Sequence, residues 1–143
     1  MLLLLLACAS APVAPRAERW AAHRATLQAQ LGPAYDAPLP SADPALVARG
    51  AEIFDKSCAP CHGSGGRGDA PRAPTLNPRP ADLIEGEGAT FFSDAAQLHI
   101  IAEGMPGTAM PPWSRALTPE EQRAVYAVVQ RLRGQGSTSD FLR

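Results

Sequence analysis

Lysine occurs once in this 143-residue chain, as Lys56, and the arginines are scattered without forming a run. No basic docking patch can be built from that pattern, and a net charge of -1 removes nucleic acid from the expected partners. The ordinary reading of these charges is a solvated surface of mixed sign. Aromatic residues make up only 6%, which is thin for a self-sufficient core in a chain with room for one modest domain. A large bound apolar group would make up the difference. No segment alternates apolar and polar residues between turns, and no repeat recurs, so strands and solenoids are not expected. Nor is any apolar run long enough to cross a bilayer, which takes about 20 residues; the longest, in MLLLLLACAS, covers only Leu2 to Ala7.

That opening lacks the charged leader of a secretory signal and falls short of its usual apolar core, so the expected start codon lies upstream. Leu5, Leu6, Ala7 and Cys8 nevertheless resemble the lipobox of bacterial lipoproteins. The resemblance implies cleavage before Cys8, acylation of its thiol and a lipid anchor on the periplasmic side of the bacterial inner membrane. The plainer alternative is an incidental thiol near a frayed end. The expected organisation is a truncated signal over 1–8, a Pro/Ala-rich tether over 9–43, a folded domain over 44–134 and a tail over 135–143.

Within the tether, Trp20, Arg24, Leu27 and Leu31 fall at near-helical spacing between Glu18 and Leu31, and Gly32-Pro33 would end such a helix. This stripe could dock on a partner or fold back on the domain. Asp43-Pro44 opens the next helix, with apolar or small residues at Leu46, Gly50, Ile53 and Phe54. It runs into the pentapeptide CAPCH, residues 58–62. The following GSGGRGDAPRAPTLNPRPADL is too rich in Gly and Pro for helix or strand and reads as a long loop. Ser93-Asp94 starts a helix that Gly104 ends. After the loop GMPGTAMPPWSRAL, Thr118-Pro119-Glu120-Glu121 starts another with a capping box, carrying Val125, Val128, Val129 and Leu132 inward as far as Gly134. The fold class is therefore all-α, with three main helices and long loops.

CAPCH holds two of the three cysteines and one of the three histidines. A structural zinc site needs four ligands, and no second cysteine pair exists while His23 and His99 lie far away. A thioredoxin-like disulfide would place CAPC after a strand, and no strand is visible. Covalent haem attachment employs every member of the motif, since each thiol, Cys58 and Cys61, adds to one vinyl group and His62 binds the iron from one face.

For the opposite face of the iron the chain offers Met105, Met110, His99 and His23. Met105 directly follows the helix-ending Gly104 and is better suited to filling a core gap. Met110 lies mid-loop, between Gly107 and Pro111-Pro112, and is the favoured ligand. A thioether favours reduced iron and suits electron transfer, whereas an open position would suit chemistry on a small molecule.

CAPCHG, GSGGRGDAP, the APTL segment, GMPGTAMPPW and a last helix with Tyr126 together resemble the class I c-type cytochromes of bacteria over about residues 44–133. The resemblance implies one haem c and its iron, with Cys58 and Cys61 as thioether anchors, His62 and Met110 as axial ligands, and no catalytic residues. Pro74 and Leu76 fall where the family has a proline carbonyl steadying the proximal imidazole and an aliphatic residue against the ring. Trp113 and Arg79 are candidates for contact with a haem propionate. Gly50 and Phe54 would meet Tyr126 where the first and last domain helices cross. The implied function is single-electron transfer in a respiratory chain, as a tethered shuttle or as a subunit of a membrane complex. Its partners would be a quinol-oxidising complex and a terminal oxidase or reductase. The alternatives are a ligand-binding or peroxidase-type haem domain and, further off, a thiol-disulfide oxidoreductase.

Overall fold

In the computed structural model, which describes residues 14–138, helix α1 spans Arg16–Leu31 and stops at Gly32. A tight helical turn, Gly32–Asp36, follows it. Cys8 and the expected signal over 1–8 lie outside the described residues, as do 9–13 and 139–143. The proline-rich composition of 9–43 suggests an extended tether, but residues 16–36 are helical and bury Trp20, Leu27 and Tyr35 against Phe92 and Ala96. Of the two uses left open for the Trp20 stripe, folding back is the one observed. Its partners, Phe91 and Phe92, are about seventy residues away in sequence, and nothing local announces them.

Asp43 caps α2, Pro44–Ile53, by accepting the Leu46 amide at 2.8 Å, with Pro44 at the first helical position. The helix passes through one wide turn, Phe54–Cys58, in which the Ala59 amide reaches back five residues to the Phe54 carbonyl. It then continues as α3, Ala59–His62. Such a turn inserts one residue into the helical repeat and re-aims everything after it, here the cysteine pair and His62.

The long loop after His62 is interrupted by a short helical turn at Ala73–Thr75 and by helix α4, Gly86–Thr90, which the glycine-rich composition concealed. Ser93 caps α5, Asp94–Glu103, by accepting from the Ala96 amide, and its hydroxyl donates to the Tyr35 carbonyl, fastening the α1 region to the same helix end. The last helix, α6, runs over Pro119–Thr138. Its start is a reciprocal capping box: Thr118 Oγ1 accepts the Glu121 amide and Glu121 Oε2 accepts the Thr118 amide. Gly134, expected as its end, is passed through, because an exposed interior glycine costs a helix only about 1 kcal/mol.

Helices α2 and α6 cross in backbone contact. A methyl group on Gly50 would sit 1.9 Å from the Ala124 carbonyl oxygen, so no other residue fits that crossing. Around the notch, Val47, Phe54, Val125, Tyr126, Val128 and Val129 form one buried cluster. Phe54 and Tyr126 thus share a core, as the resemblance implies, while Ala124 supplies the surface that enters the notch. No strand occurs among the described residues, and no helix among them is long and apolar enough to cross a membrane.

Candidate functional site

The helical turn from Cys58 to His62 places both thiols, half-buried and free, one turn apart on a single rigid element. Burial, with a smaller contribution from Cys61, pushes the Cys58 thiol up to about 11. Cys58 is thus a neutral thiol at neutral pH, unlike the depressed, reactive cysteine of a thiol-disulfide oxidoreductase.

Burial also pulls the His62 imidazole below its usual range, and the Ala81 backbone carbonyl offsets part of that shift. A neutral imidazole is the form that binds a metal. His62 Nδ1 is itself buried without a hydrogen-bond partner. The Ala81 backbone thus lies beside the imidazole, and Nδ1 is unpaired.

Pro74, by contrast, is exposed in its short turn, and Leu76 is half-buried just after it. The backbone group that acts on the His62 ring belongs to Ala81. Pro78 and Pro80 flank Arg79, whose own carbonyl accepts from Arg16 of α1 at 3.0 Å.

Met110 is held in a loop stitched to itself and to α5. Its carbonyl accepts the Met105 amide at 3.2 Å, its amide donates to Thr108 Oγ1 at 3.1 Å, and Thr108 Oγ1 donates to the Met105 carbonyl at 2.8 Å. Beyond the prolines, the amides of Trp113 and Ser114 donate to the carbonyls of Ile101 and Ala102 at 3.1 and 3.0 Å. Those are the carbonyls that the last turn of a helix leaves free. Trp113 thereby serves the loop through its backbone, with its side chain half-buried.

The two faces of α5 have different neighbours. Leu98 and Ile101 pack on the cluster that also receives Cys58 and Ala59. Ala96, Ile100 and, just past the helix, Met105 pack instead with Trp20 and Leu27 of α1. His23, His99 and Met105 line one cleft of about 580 Å³ on that side, between α1 and the Gly104–Thr108 loop. Three of the four candidates thus gather across α5 from the cysteine pair, and Met110 is not among them.

A CxxCH turn ending in a half-buried imidazole, packed through a glycine notch against the C-terminal helix and followed by a methionine loop at the end of α5, is the arrangement of a c-type cytochrome, an electron-transfer module that carries haem c. The residues present suit that group: two thiols on one turn, and an orphaned ring nitrogen beside an acceptor. The family described as "Cytochrome C oxidase, cbb3-type, subunit III" matches residues 45–127, more than half of the chain, and the chain belongs to it.

Among curated relatives, the Cbb3-type cytochrome c oxidase subunit FixP of Bradyrhizobium diazoefficiens is 35% identical over 89 residues, covering 62% of this chain and 28% of the relative. FixP of Rhizobium etli is 36% identical over 95 residues, covering 62% and 32%. The chain therefore spans about three tenths of the length of the curated relatives it matches. Among solved structures, a chain of the Kuenenia stuttgartiensis reducing HAO-like protein complex Kustc0457/Kustc0458 aligns with a TM-score of 0.57 at 26% identity, over 67% of this chain and 47% of that one. The all-helical cytochrome fold read from the sequence is borne out.

Sequence reasoning missed Ala81, Thr108, Ala124 and Arg133. Ala81 and Ala124 act through backbone groups or small size, which leave no trace in composition, and Thr108 acts through a hydroxyl whose partners only the folded loop shows. Arg133 lies on the last helix among several arginines, and only the folded chain shows what it touches.

Proposed function

We propose that this chain carries single electrons through one haem c, held by thioether bonds from Cys58 and Cys61 and by His62 and Met110 as axial ligands, within a bacterial respiratory complex. The observation that supports the ligand choice is that the competing donors His23, His99 and Met105 line one cleft against α1, of which Met110 is not a lining residue, while the Met110 loop is fastened to the end of α5. Bound haem supplies a one-electron ferric/ferrous couple.

The chain's own residues keep the rearrangement small. His62 is half-buried with its Nδ1 covered and unpaired, which leaves the other nitrogen ready to bind. The Met110 loop is closed by its own hydrogen bonds, so a thioether offered from it is already ordered. Clustered apolar side chains from α2, α5 and α6 exclude water beside Cys58.

The relatives are described as oxidase subunits, which favours a subunit of a terminal oxidase over a free shuttle. Trp20 is buried within the chain, so clamping a partner through it is not part of this reading. A lipid anchor at Cys8 and a periplasmic position complete the proposal.

Two measurements test it. Mass spectrometry of the purified protein should find haem covalently attached to Cys58 and Cys61. The weak far-red sulfur-to-iron band of the oxidised protein should vanish in Met110→Ala and persist in Met105→Ala. The reverse pattern would overturn the ligand assignment, and rapid carbon monoxide binding by the reduced wild type would favour a ligand-binding domain instead.

A further inference from the structure

The guanidinium of Arg133, half-buried near the end of α6, makes three separate hydrogen bonds. Its Nε donates to the Leu83 carbonyl at 2.7 Å, its Nη2 to Gln97 Oε1 at 2.7 Å and its Nη1 to Tyr126 Oη at 3.2 Å. Tyr126 in turn donates to Asp94 Oδ1 at 2.7 Å, and Gln130 donates to Asp94 Oδ2 at 3.2 Å. The bonds to Leu83 and to Gln97 are charge-assisted, and the arginine is fixed on three sides. Of these, the bond to Leu83 is the one that leaves the helices and enters the loop beside His62.

Leu83 sits at a narrow point of that loop. Its amide donates to the Gly66 carbonyl at 2.9 Å, and two residues on the Gly68 amide donates to the carbonyl of His62 itself at 2.8 Å. The two arms of the loop approach so closely that a methyl group on Gly68 would lie 2.6 Å from the Pro80 oxygen and 3.1 Å from the Ala81 oxygen. The same Ala81 backbone acts on the His62 ring, whose Nδ1 is buried without a hydrogen-bond partner.

We propose that Arg133 is a positioning residue for His62: by holding Leu83 it fixes the Pro80–Ala81 turn against Gly68 and so aims the Ala81 carbonyl at His62 Nδ1. Arg133 lies beyond residues 45–127, the part of the chain that the family match covers. The proposal rests on His62 being an iron ligand. A hydrogen bond from Nδ1 to a carbonyl makes the imidazole a stronger donor, stabilises ferric iron and lowers the reduction potential.

Arg133→Lys keeps the positive charge but cannot make the three-way fork. In the full-length protein carrying its haem, the reduction potential should rise, and exchange of the His62 Nδ1 proton with solvent, read by NMR, should accelerate on the order of tenfold. Gln97→Met removes one bond of the arginine while leaving the tie to Leu83, and should lower thermal stability without moving the potential. Arg131→Lys, on an exposed neighbour, should change neither.

An unchanged potential and exchange rate in Arg133→Lys, or equal shifts in Gln97→Met, would overturn the proposal. Should Arg133→Lys yield no haem-loaded protein, Gly68→Ala displaces the same carbonyls from the other side, and an unchanged potential there is equally fatal. Absence of covalent haem from the wild type would strike the proposed function instead, which keeps the two failures apart.

Discussion

The chain has two cores built on different principles. Between α2 and α6, two backbones meet at Gly50 and Ala124, and aliphatic side chains fill the space around the contact. Between α1 and the start of α5, aromatic rings fill the contact. Trp20 lies 5.2 Å from Phe91 and 5.7 Å from Phe92 between ring centroids, and the Arg24 guanidinium stacks 3.9 Å above Phe91 while its Nη2 donates to the Phe91 carbonyl. The first core depends on small size at one point. The second depends on large groups spread over a surface, and it leaves a cleft and an unpaired His23 Nε2 behind. The family match covers residues 45–127, the first core almost entire, whereas Trp20, Leu27 and Tyr35 of the second fall outside it. A shared scaffold carries an attached segment, and the two should fail differently.

Gly50→Val is the severest test of this contrast. Its side chain meets a backbone carbonyl that cannot rotate away, and the loss should exceed about 4 kcal/mol, enough to prevent folding and haem loading together. Recovery of normally loaded protein would show that the crossing is softer than its geometry implies. Trp20→Ala should cost about 3 kcal/mol, but only within the attached segment. Amide exchange should speed up through α1 while protection in α2 and α6 is retained; a uniform loss would merge the two cores into one cooperative unit.

Mild acid should give the smallest effect. Burial first, and then the neighbouring His99, hold His23 below its usual 6.5. Undocked α1 therefore binds a proton more readily than docked α1. Docking is at full strength above 6.5, weakens as the pH falls below it, and stops weakening under the folded value. Exchange in α1 should follow that course in the wild type and be flat in His23→Gln.

Most of the scaffold was legible in the sequence because it is specified locally. Asp43-Pro44, Ser93 and Thr118 with Glu121 are caps whose chemistry acts over three or four residues, and each starts a helix where expected. CAPCH is a motif complete within one turn. What stayed hidden is relational. The burial of Trp20 requires Phe91 and Phe92, the bond from Arg133 requires a carbonyl fifty residues earlier, and the wide turn at Phe54–Cys58 has no residue signature of its own. Helix α4 begins at one glycine and contains another, so its propensity argued against it. The gathering of His23, His99 and Met105 along one cleft was beyond sequence for the same reason: it depends on which way α5 is turned between two partners.

The stitches from Trp113 and Ser114 to the last carbonyls of α5 also set a clock. A methionine loop hung on free chain could swing away from iron on the nanosecond timescale of loop motion, whereas this one must first break hydrogen bonds that finish a helix. Under the ligation proposed above, release of Met110 would be a local unfolding event shared with α5, slower than the loop alone would be and sensitive to anything that frays residues 101–103. Foreign ligands would then wait on the helix end rather than on the sulfur.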